Sequence, residues 1–370
     1  MTFSTTIYSV FSLIGFLFCA VPLTWHLKNG NTGLCLLTGW LGISCLYEGI
    51  NSIVWNGNVV NWSPIWCDIC TRIYLGSGVG LPASTLIIFR RLYRISTAQG
   101  TMPIPNKSAK RRQVMLDLAL GLGLPLGIAY ITQGHRYNIL EDVGCLTASY
   151  NSIVSVALVN VPPILISLVT ARYAVLTIIG FNKRRIEFNE LLAEHSNLTS
   201  GFYVRLMCFA GLELLWTIPV GVFFLYANVK DGLGPSNGWA DVHFNFSRVI
   251  FVPRSLWESD PWAKSTVELG RWLGVIGAIN FFAFFGFAEE ARTNYRAAYL
   301  TVTKLIGFPT TSSNVSANPR RTGKKDPTDA LVFAQTASTN ISIIPIPDIE
   351  AENSDEKKGE TRYLSPSKMS

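Results

Sequence analysis

Long apolar runs, each closed by basic or polar residues, dominate the pattern of the chain. The clearest run, residues 73–95, stays uncharged until it reaches Arg90, Arg91 and Arg94. About 20 apolar helical residues, rising ~1.5 Å each, cover the hydrocarbon core of a bilayer, and a helix satisfies its own backbone there. The pattern therefore predicts a membrane-spanning helix. Its arginines mark the cytosolic side, because juxtamembrane Lys and Arg are retained on that side.

The same pattern recurs along the chain and predicts an all-α membrane protein, a seven-transmembrane helix bundle. The third run is extended back to Trp66 because Asp68 and Arg72 form a favourable i,i+4 pair at its outer end. Residues 1–6 form a short segment before the first span. The seven predicted spans, together forming a transmembrane domain at 7–288, are 7–27, 34–55, 66–95, 115–133, 150–174, 203–227 and 265–288.

The distribution of basic residues predicts the orientation. With the N-terminus outside, the inner segments carry fourteen Lys and Arg and the outer segments carry six. This asymmetry predicts an extracellular N-terminus and a cytoplasmic C-terminus. Residues 289–305 keep a helical pattern, which fits an amphipathic helix along the inner leaflet and a plain extension of the seventh helix equally well. Residues 306–370, rich in Ser, Thr, Asn and Pro, predict a disordered cytoplasmic tail.

Composition excludes several classes of protein. With 49% hydrophobic and 15% charged residues, the chain is too apolar for an ordinary soluble domain. The net charge of +7 does not indicate a nucleic-acid partner, because the basic residues cluster beside apolar runs without an aromatic-basic face. The four histidines lack metal-binding spacing, and no nucleophile elbow or phosphate loop is present. We therefore expect no enzymatic activity, no cofactor and no metal site.

Three cysteines face the outer, oxidising side in this topology. Cys67 and Cys70 lie at the mouth of the third span, and Cys145 lies in the second outer loop. A bridge from Cys145 to Cys67 would hold that loop over the helices. Cys70 is the competing partner, and one cysteine remains over. The sequon Asn245-Phe-Ser also falls outside, which predicts glycosylation of Asn245.

Ionisable and helix-distorting residues occur within the spans. Glu48, Glu213 and Asp117 each need a polar partner in the membrane, for which Asn51, Asn160 and Asn280 are the candidates. A structural polar cluster and a ligand contact are both compatible with them. Prolines interrupt five spans, at Pro22, Pro82, Pro125, Pro162 with Pro163, and Pro219. The spacings Gly76-xxx-Gly80 and Gly123-xxx-Gly127 indicate close helix packing.

Five stretches, in order along the chain, carry a resemblance to a known family. They are WCDI at 66–69, LPAS at 81–84 leading to RRLYR at 90–94, GC at 144–145, WADVH at 239–243 running on to FS at 246–247, and FFAFFGFAEEARTNYR at 281–296. Through them, roughly residues 5–300 resemble the a-factor-type lipopeptide pheromone receptors of fungi, which are class D G-protein-coupled receptors. The resemblance fades in the tail.

The resemblance implies a plasma-membrane receptor for a farnesylated, carboxymethylated peptide that activates a heterotrimeric G protein upstream of a mating MAP-kinase cascade. It leaves a homodimer open. Two rival functions remain: a related receptor with a non-mating ligand, and a seven-helix transporter, for which internal repeats would be expected.

Two sets of residues are candidates for the contacts of such a receptor. Aromatic residues of the third outer loop would cover the ligand, although an aromatic belt against lipid headgroups explains them equally well. Basic residues at the inner helix ends would meet the C-terminal helix of Gα, although they also serve to orient the chain beside anionic lipid. The ligand candidates are Trp239, His243, Phe244, Phe246 and Trp257, and the G-protein candidates are Arg90, Arg91, Arg94, Lys183, Arg184 and Arg185.

Overall fold

Helices account for most of the residues that the structure describes. The computed structural model describes residues 3–28, 30–97, 107–149, 152–183, 200–230, 232–234, 243–287, 291–292 and 295–296. All of them belong to the unit Met1–Thr310. The predicted tail at 306–370 lies outside the described residues. So does most of the segment 289–305, of which 291–292 and 295–296 are helical.

The helices follow one another in the order that the apolar runs predict. They are α1 (Phe3–Lys28), α2 (Thr32–Val54), α3 (Pro64–Thr97), α4 (Lys107–Leu118), a π-helical segment (Ala119–Gly123), α5 (Leu124–Thr132), α6 (Ile153–Val159), α7 (Val161–Lys183), α8 (Ser200–Val229), α9 (Arg254–Trp257) and α10 (Pro261–Phe285).

Six helical stretches in the described part of the chain are long and apolar enough to cross a membrane. They correspond to the predicted spans one, two, three, five, six and seven. The predicted fourth span, residues 115–133, is helical up to Thr132 but is divided by the π-helical segment, so none of its parts reaches spanning length by itself. A π-helical turn inserts one residue into the hydrogen-bond ladder and commonly marks a bend.

Local capping chemistry explains why several helix ends differ from the predicted spans. The first helix begins at Phe3, so the predicted segment 1–6 is largely helical. The fifth span begins at Ile153 rather than 150, because the Ser152 hydroxyl accepts a hydrogen bond from Ser155 N at 3.2 Å. The seventh begins at Pro261, ahead of 265, because the Asp260 carboxylate accepts from Trp262 N at 2.9 Å.

The predicted prolines occupy different positions in the described helices, and Pro125 lies in the first turn of α5, directly after the π-helical segment. Pro22, Pro82 and Pro219 lie inside continuous helices. Between α6 and α7 the helix stops at Asn160, one residue before the first turn that contains Pro162 and Pro163. Two successive prolines remove two N–H donors, so the preceding carbonyls cannot complete the helical ladder. The Asn160 side chain instead donates to Phe224 O at 3.4 Å, which joins the break to α8.

A three-stranded sheet corrects the prediction that the protein is all-α. Strands β1 (Gln133–Leu140) and β2 (Gly144–Ser149) form an antiparallel hairpin, and β3 (Val249–Val252) pairs with β1 in parallel, giving the order β2-β1-β3. The strands occupy the segments interpreted as the second and third outer loops. They were missed because each is short and β3 pairs with a strand more than 100 residues earlier in the chain, which no local pattern records.

One face of the sheet closes one end of the helices. Tyr137 and Ile139 on β1 are fully buried against Tyr47 and Trp55 of the α2 region and against Cys67 on α3. We call this end of the helices the sheet end. The opposite end, which carries Arg90, Arg91 and Arg94 on α3, is called the arginine end.

The glycine pair Gly76 and Gly80 accommodates a side chain rather than a second helix backbone. The indole of Trp40 lies against both glycines, where any Cβ on Gly80 would collide with the ring. Its Nε1 donates to the carbonyl of Gly121 in the π-helical segment at 2.9 Å. A methyl group built on Gly123 or Gly127 would meet no atom of the described residues within 4 Å. The spacing therefore indicates tight packing at the first pair only.

Candidate functional site

A disulfide joins the sheet to the helices. Cys67 on α3 and Cys145 on β2 are bonded, with their Cα atoms 5.2 Å apart. Cys70, the competing candidate, is a buried thiol whose Sγ lies 3.8 Å from Asn51 Oδ1. Gly144 has φ +95° and approaches α2 so closely that a Cβ there would lie 2.7 Å from Asn51 Cβ, so only glycine fits. The hairpin is thus held directly over α2 and α3.

A cavity of about 160 Å³ lies beneath this hairpin. Its walls come from three helices and the sheet. The helices contribute Tyr47, Glu48 and Asn51 on α2, Tyr74 on α3, and Thr266, Val267 and Arg271 on α10. The hairpin contributes Val143 in the turn and Cys145, Leu146 and Thr147 on β2. Polar groups therefore line a partly enclosed space between elements that are distant in the sequence.

Glu48 is held by two tyrosines. The Tyr8 hydroxyl on α1 donates to Glu48 Oε2, and the Tyr47 hydroxyl donates to Oε1 at 3.0 Å. The asparagines proposed from sequence as its partners do not fill this role. Asn51 Oδ1 accepts from Trp66 Nε1 at 2.7 Å. The prediction of a polar partner is confirmed, but the partner is phenolic because α1 packs beside α2 here.

Arg271 connects four elements at the sheet end. Its side chain is 8% exposed and its Nη1 lies 3.1 Å from Glu268 Oε1. Nη2 donates to Ser52 Oγ at 3.3 Å and to the carbonyl of Asp142 at 3.5 Å. The guanidinium carbon lies 4.0 Å from the centroid of the Tyr8 ring, a cation–π distance. Arg271 is not among the site residues predicted from sequence, although an arginine inside a predicted span is itself a signal for a functional site.

A second charge network lies on the outer surface of the hairpin. Arg254 Nη1 lies 3.1 Å from Asp142 Oδ2, and Arg254 Nε lies 2.9 Å from Glu258 Oε2. Lys264 Nζ approaches Glu258 Oε1 at 3.7 Å. The Arg254 guanidinium lowers the pKa of Glu258 below the ordinary carboxyl value. These pairs attach the segment after β3 to the hairpin turn.

The Asp68 carboxylate pairs across the fold and not along its helix. Arg136 on β1 donates to it through Nε at 3.0 Å and through Nη2 at 2.7 Å, a bidentate arrangement. Arg72 donates only to the Asp68 backbone carbonyl, at 3.2 Å. The predicted i,i+4 ion pair is therefore wrong, because a planar guanidinium on the adjacent strand offers both oxygens a donor.

The arginine end uses its basic residues differently. Arg90 forms an ion pair with Asp117 on α4, and the Asp117 side chain is only 3% exposed. This pairing supplies the partner that Asp117 was expected to need. Arg91 Nη1 donates to Gly30 O and to Asn31 Oδ1, both at 3.3 Å. Arg94 and Lys183 are exposed.

Comparison with known proteins decides the family. The model of the family described as "Pheromone A receptor" matches residues 7–305. The chain belongs to the pheromone A receptor family. The family resemblance inferred from the sequence is thereby confirmed, and the six helices of spanning length indicate a multi-pass membrane protein.

Several relatives share most of the receptor region. The "Pheromone B alpha 3 receptor" of Schizophyllum commune is 40% identical over 309 residues, which are 82% of this chain and 49% of the relative. The "Pheromone receptor 1" of Mycosarcoma maydis is 32% identical over 294 residues, 78% of this chain and 82% of the relative. The "Pheromone a factor receptor" of Saccharomyces cerevisiae is 24% identical over 297 residues, which are 76% of this chain and 59% of the relative. The chain spans about half the length of the Schizophyllum relative.

None of the described residues predicted to contact a ligand is among those that line the cavity. Trp257 is buried against Leu140 and Val143, and its Nε1 donates to Glu141 O at 3.3 Å. His243 and Phe246 stack with centroids 6.0 Å apart in the turn before β3. Phe244 is 80% exposed, and Trp239 lies outside the described residues. Asn245, the predicted glycosylation site, is exposed and has φ +52°.

The residues predicted to contact a G protein are only partly available at the arginine end. Arg90 and Arg91 are engaged as described above, whereas Arg94 and Lys183 present their charges at the surface. Arg184 and Arg185 lie outside the described residues. Sequence reasoning could not separate these cases, because the partners Asp117 and Asn31 come from other elements.

Proposed function

We propose that the chain is a plasma-membrane receptor for a farnesylated peptide pheromone, which activates a heterotrimeric G protein and a mating MAP-kinase pathway. The observation that carries the proposal is the family match over residues 7–305, which covers every candidate span. The partly enclosed cavity at the sheet end, with a few polar groups in its walls, supports it, because ligand pockets combine concave, mostly apolar walls with a few placed polar groups.

The proposed topology has seven crossings, with the N-terminus outside and the C-terminus in the cytoplasm. A disulfide at the sheet end favours an oxidising compartment there. Helix α1 starts at that end, since Tyr8 contacts Glu48, and α10 also starts there, since Arg271 contacts the hairpin. Both helices then run toward the arginine end, where the ring centroids of His26 and Phe285 are 6.2 Å apart. The divided helix from 107 to 132 would supply the remaining crossing.

The ligand is expected to use more than the cavity. A volume of about 160 Å³ is below the ~300–1,000 Å³ of typical ligand pockets, so a lipopeptide cannot lie wholly inside it. A prenyl chain brings roughly 0.8 kcal/mol per buried methylene, which favours an apolar surface near the bilayer. The exposed loop residues Phe244 and Phe246, the half-buried His243, and Trp239 are our candidates for that surface. Trp257 would hold the loop in place.

Coupling to a G protein is assigned to the arginine end. A ligand shifts a receptor toward a signalling state only if it binds that state more tightly. We propose that the state which exposes the ends of α3, α7 and α8 receives the C-terminal helix of Gα. The exposed charges of Arg94 and Lys183, together with Arg184 and Arg185, would lie beside it, whereas Arg90 and Arg91 would change partners.

The test is expression in a yeast strain that lacks its own pheromone receptors and carries a G-protein-dependent reporter. Synthetic farnesylated, carboxymethylated peptides should activate the reporter, and the same peptides without the farnesyl group should be at least tenfold weaker. Activity of both forms alike, or a solute flux that is independent of the G protein, would contradict the proposal. Epitope tags should place the two termini on opposite faces of the membrane.

A further inference from the structure

We propose that Glu48, together with Tyr47 and Tyr74, which border the cavity, forms a cation subsite. This subsite binds an ammonium or guanidinium group of the ligand. The identity of that ligand as a peptide rests on the proposed function. The subsite itself rests on the charges, hydrogen bonds and space around Glu48.

The charges that border the cavity do not balance. Arg271 is matched by Glu268, at 3.1 Å. Asp142, whose carbonyl also contacts Arg271, has its carboxylate matched by Arg254 at 3.1 Å. Glu48 receives hydrogen bonds from two tyrosines, which are neutral donors. Arg271 is near enough to act electrostatically on Glu48, but it forms its ion pair with Glu268, so the carboxylates in this set outnumber the cations by one. An enclosed carboxylate of this kind is stabilised by a nearby positive charge.

The carboxylate of Glu48 can accept further hydrogen bonds. Its two oxygens offer about four acceptor positions, and Tyr8 and Tyr47 take one on each oxygen. Glu48 also borders the cavity, next to Tyr47 and Tyr74. An ammonium group provides up to three N–H donors and a guanidinium five, and the faces of tyrosine rings attract both groups.

Protein groups already occupy part of the hydrogen-bonding capacity of Arg271. Both of its terminal nitrogens already donate, one to Glu268 and the other to Ser52 and the Asp142 carbonyl. One face of its guanidinium is covered by the ring of Tyr8 at 4.0 Å. The size of the cavity admits one charged terminal group, while the prenyl chain and most of a peptide must lie elsewhere.

The experiment places a reporter thiol in the cavity wall. In the full-length receptor carrying Thr266→Cys, labelling rates are measured with 2-aminoethyl and 2-sulfonatoethyl methanethiosulfonate, which differ in the sign of their charge. Each rate is divided by that of the same reagent with 2-mercaptoethanol, and the labelling of the receptor without Thr266→Cys is subtracted. We expect the corrected cation-to-anion ratio to be on the order of tenfold, because like and unlike charges a few ångströms away differ by more than 1 kcal/mol.

Variants then assign the preference to Glu48. Glu48→Gln keeps the size of the side chain but removes the charge, and it should bring the ratio to within about twofold of unity. Glu48→Asp keeps the charge and should retain most of the preference. Glu258→Gln, in the outer network, serves as the matched control and should leave the ratio unchanged. A ratio near unity with Glu48 intact overturns the proposal even if the Glu48 variants do not fold.

A second arm separates this inference from the proposed function. The yeast reporter is challenged with farnesylated peptides in which one position near the N-terminus is Lys, Gln or Glu. If none activates the reporter but the labelling ratio is high and depends on Glu48, the pheromone function fails while the cation subsite stands. If farnesylated peptides activate the receptor but the ratio is near unity, the function stands and the subsite is rejected.

Discussion

The sheet end and the arginine end of this pheromone-receptor family member organise their charges in contrasting ways. At the sheet end, Asp68 and Asp142 are each paired with an arginine from another element, and Arg271 donates to Ser52 on α2 and to the Asp142 carbonyl, beside a disulfide-anchored hairpin. At the arginine end, Arg90 is paired while Arg94 and Lys183 are exposed. The sheet end thus resembles a prebuilt site, whereas the arginine end keeps charges available for a partner.

The physical basis of this contrast is the number of elements that meet at each end. Strands and helices from five parts of the chain converge at the sheet end, so most charged groups there find a partner and are partly shielded from water. The buried members, Asp142 and Arg271, are expensive to leave unpaired. Exposed charges at the arginine end remain solvated, and their removal should change interactions more than stability. The following substitutions test that contrast.

The largest effect is expected from removing the disulfide. Cys145→Ser releases a cross-link between residues 78 positions apart, and the lost chain constraint predicts a destabilisation of roughly 2–4 kcal/mol. The thermal midpoint of the detergent-purified receptor and its delivery to the cell surface should both fall. Cys70→Ser, which alters a buried thiol outside the bridge, is the control and should cost about 1 kcal/mol or less. Equal losses of stability in both variants would mean that the disulfide contributes no more to stability than the Cys70 thiol.

Breaking the ion pair at the arginine end should have the next largest effect on stability. Arg90→Ala leaves the buried Asp117 carboxylate unpaired, and we expect a loss of about 2 kcal/mol in thermal unfolding. The double variant Arg90→Ala/Asp117→Ala should recover part of that loss, since neither charge is then left alone. Arg94→Ala should be neutral in stability but should weaken the reporter response. A destabilising Arg94→Ala would show that this end is as closely packed as the other.

The outer network of the hairpin should contribute less. Arg254→Ala removes the partner of Asp142, and because the Arg254 side chain is 34% exposed we expect a cost of about 1 kcal/mol. Limited proteolysis after β3 should become faster, since this arginine also binds Glu258. Arg248→Ala, at an exposed position of the same loop, is the matched control. An unchanged thermal midpoint and an unchanged rate of proteolysis in Arg254→Ala would mean that the network does not stabilise the fold.

The smallest effect is expected from pH. Because Arg254 lowers the pKa of Glu258 in the folded receptor, the pair stabilises the fold fully above the ordinary carboxyl value of about 4.3. That stabilisation is lost as pH falls through the lowered pKa. The thermal midpoint of Glu258→Gln should therefore depend less on pH in this acidic range than that of the unmodified receptor. Parallel midpoint curves for the two proteins would argue against the pairing in solution.

The helices could be predicted from sequence because bilayer thickness imposes their length. Six of the seven predicted spans correspond to described helices of spanning length, and where Ser152 or Asp260 supplies a cap, the helix begins at the next residue. The sheet could not be predicted in the same way. Its parallel pair joins Tyr137 to Val249 and Leu140 to Val252, so the partner of each residue lies in a different loop.

The candidate site shows the same division at the level of side chains. Glu48 was recognisable as a carboxylate inside an apolar run, and Cys145 as one cysteine of a bridge. The choice of Cys67 over Cys70, and of Tyr8 over Asn51, depended on which groups α1, α2 and β2 bring within bonding distance. Arg271 carried a readable signal, a charge within a span, but its partners Ser52 and Asp142 did not.

By itself, the sequence determined that this chain crosses a membrane repeatedly and belongs with the fungal pheromone receptors, because apolar length and ordered motifs are local properties. The tertiary structure alone decided that two loops form one sheet, that Asp68 binds Arg136 and not Arg72, and that Glu48 borders a cavity. These features depend on distances between residues far apart in the chain, which are set only when the helices pack.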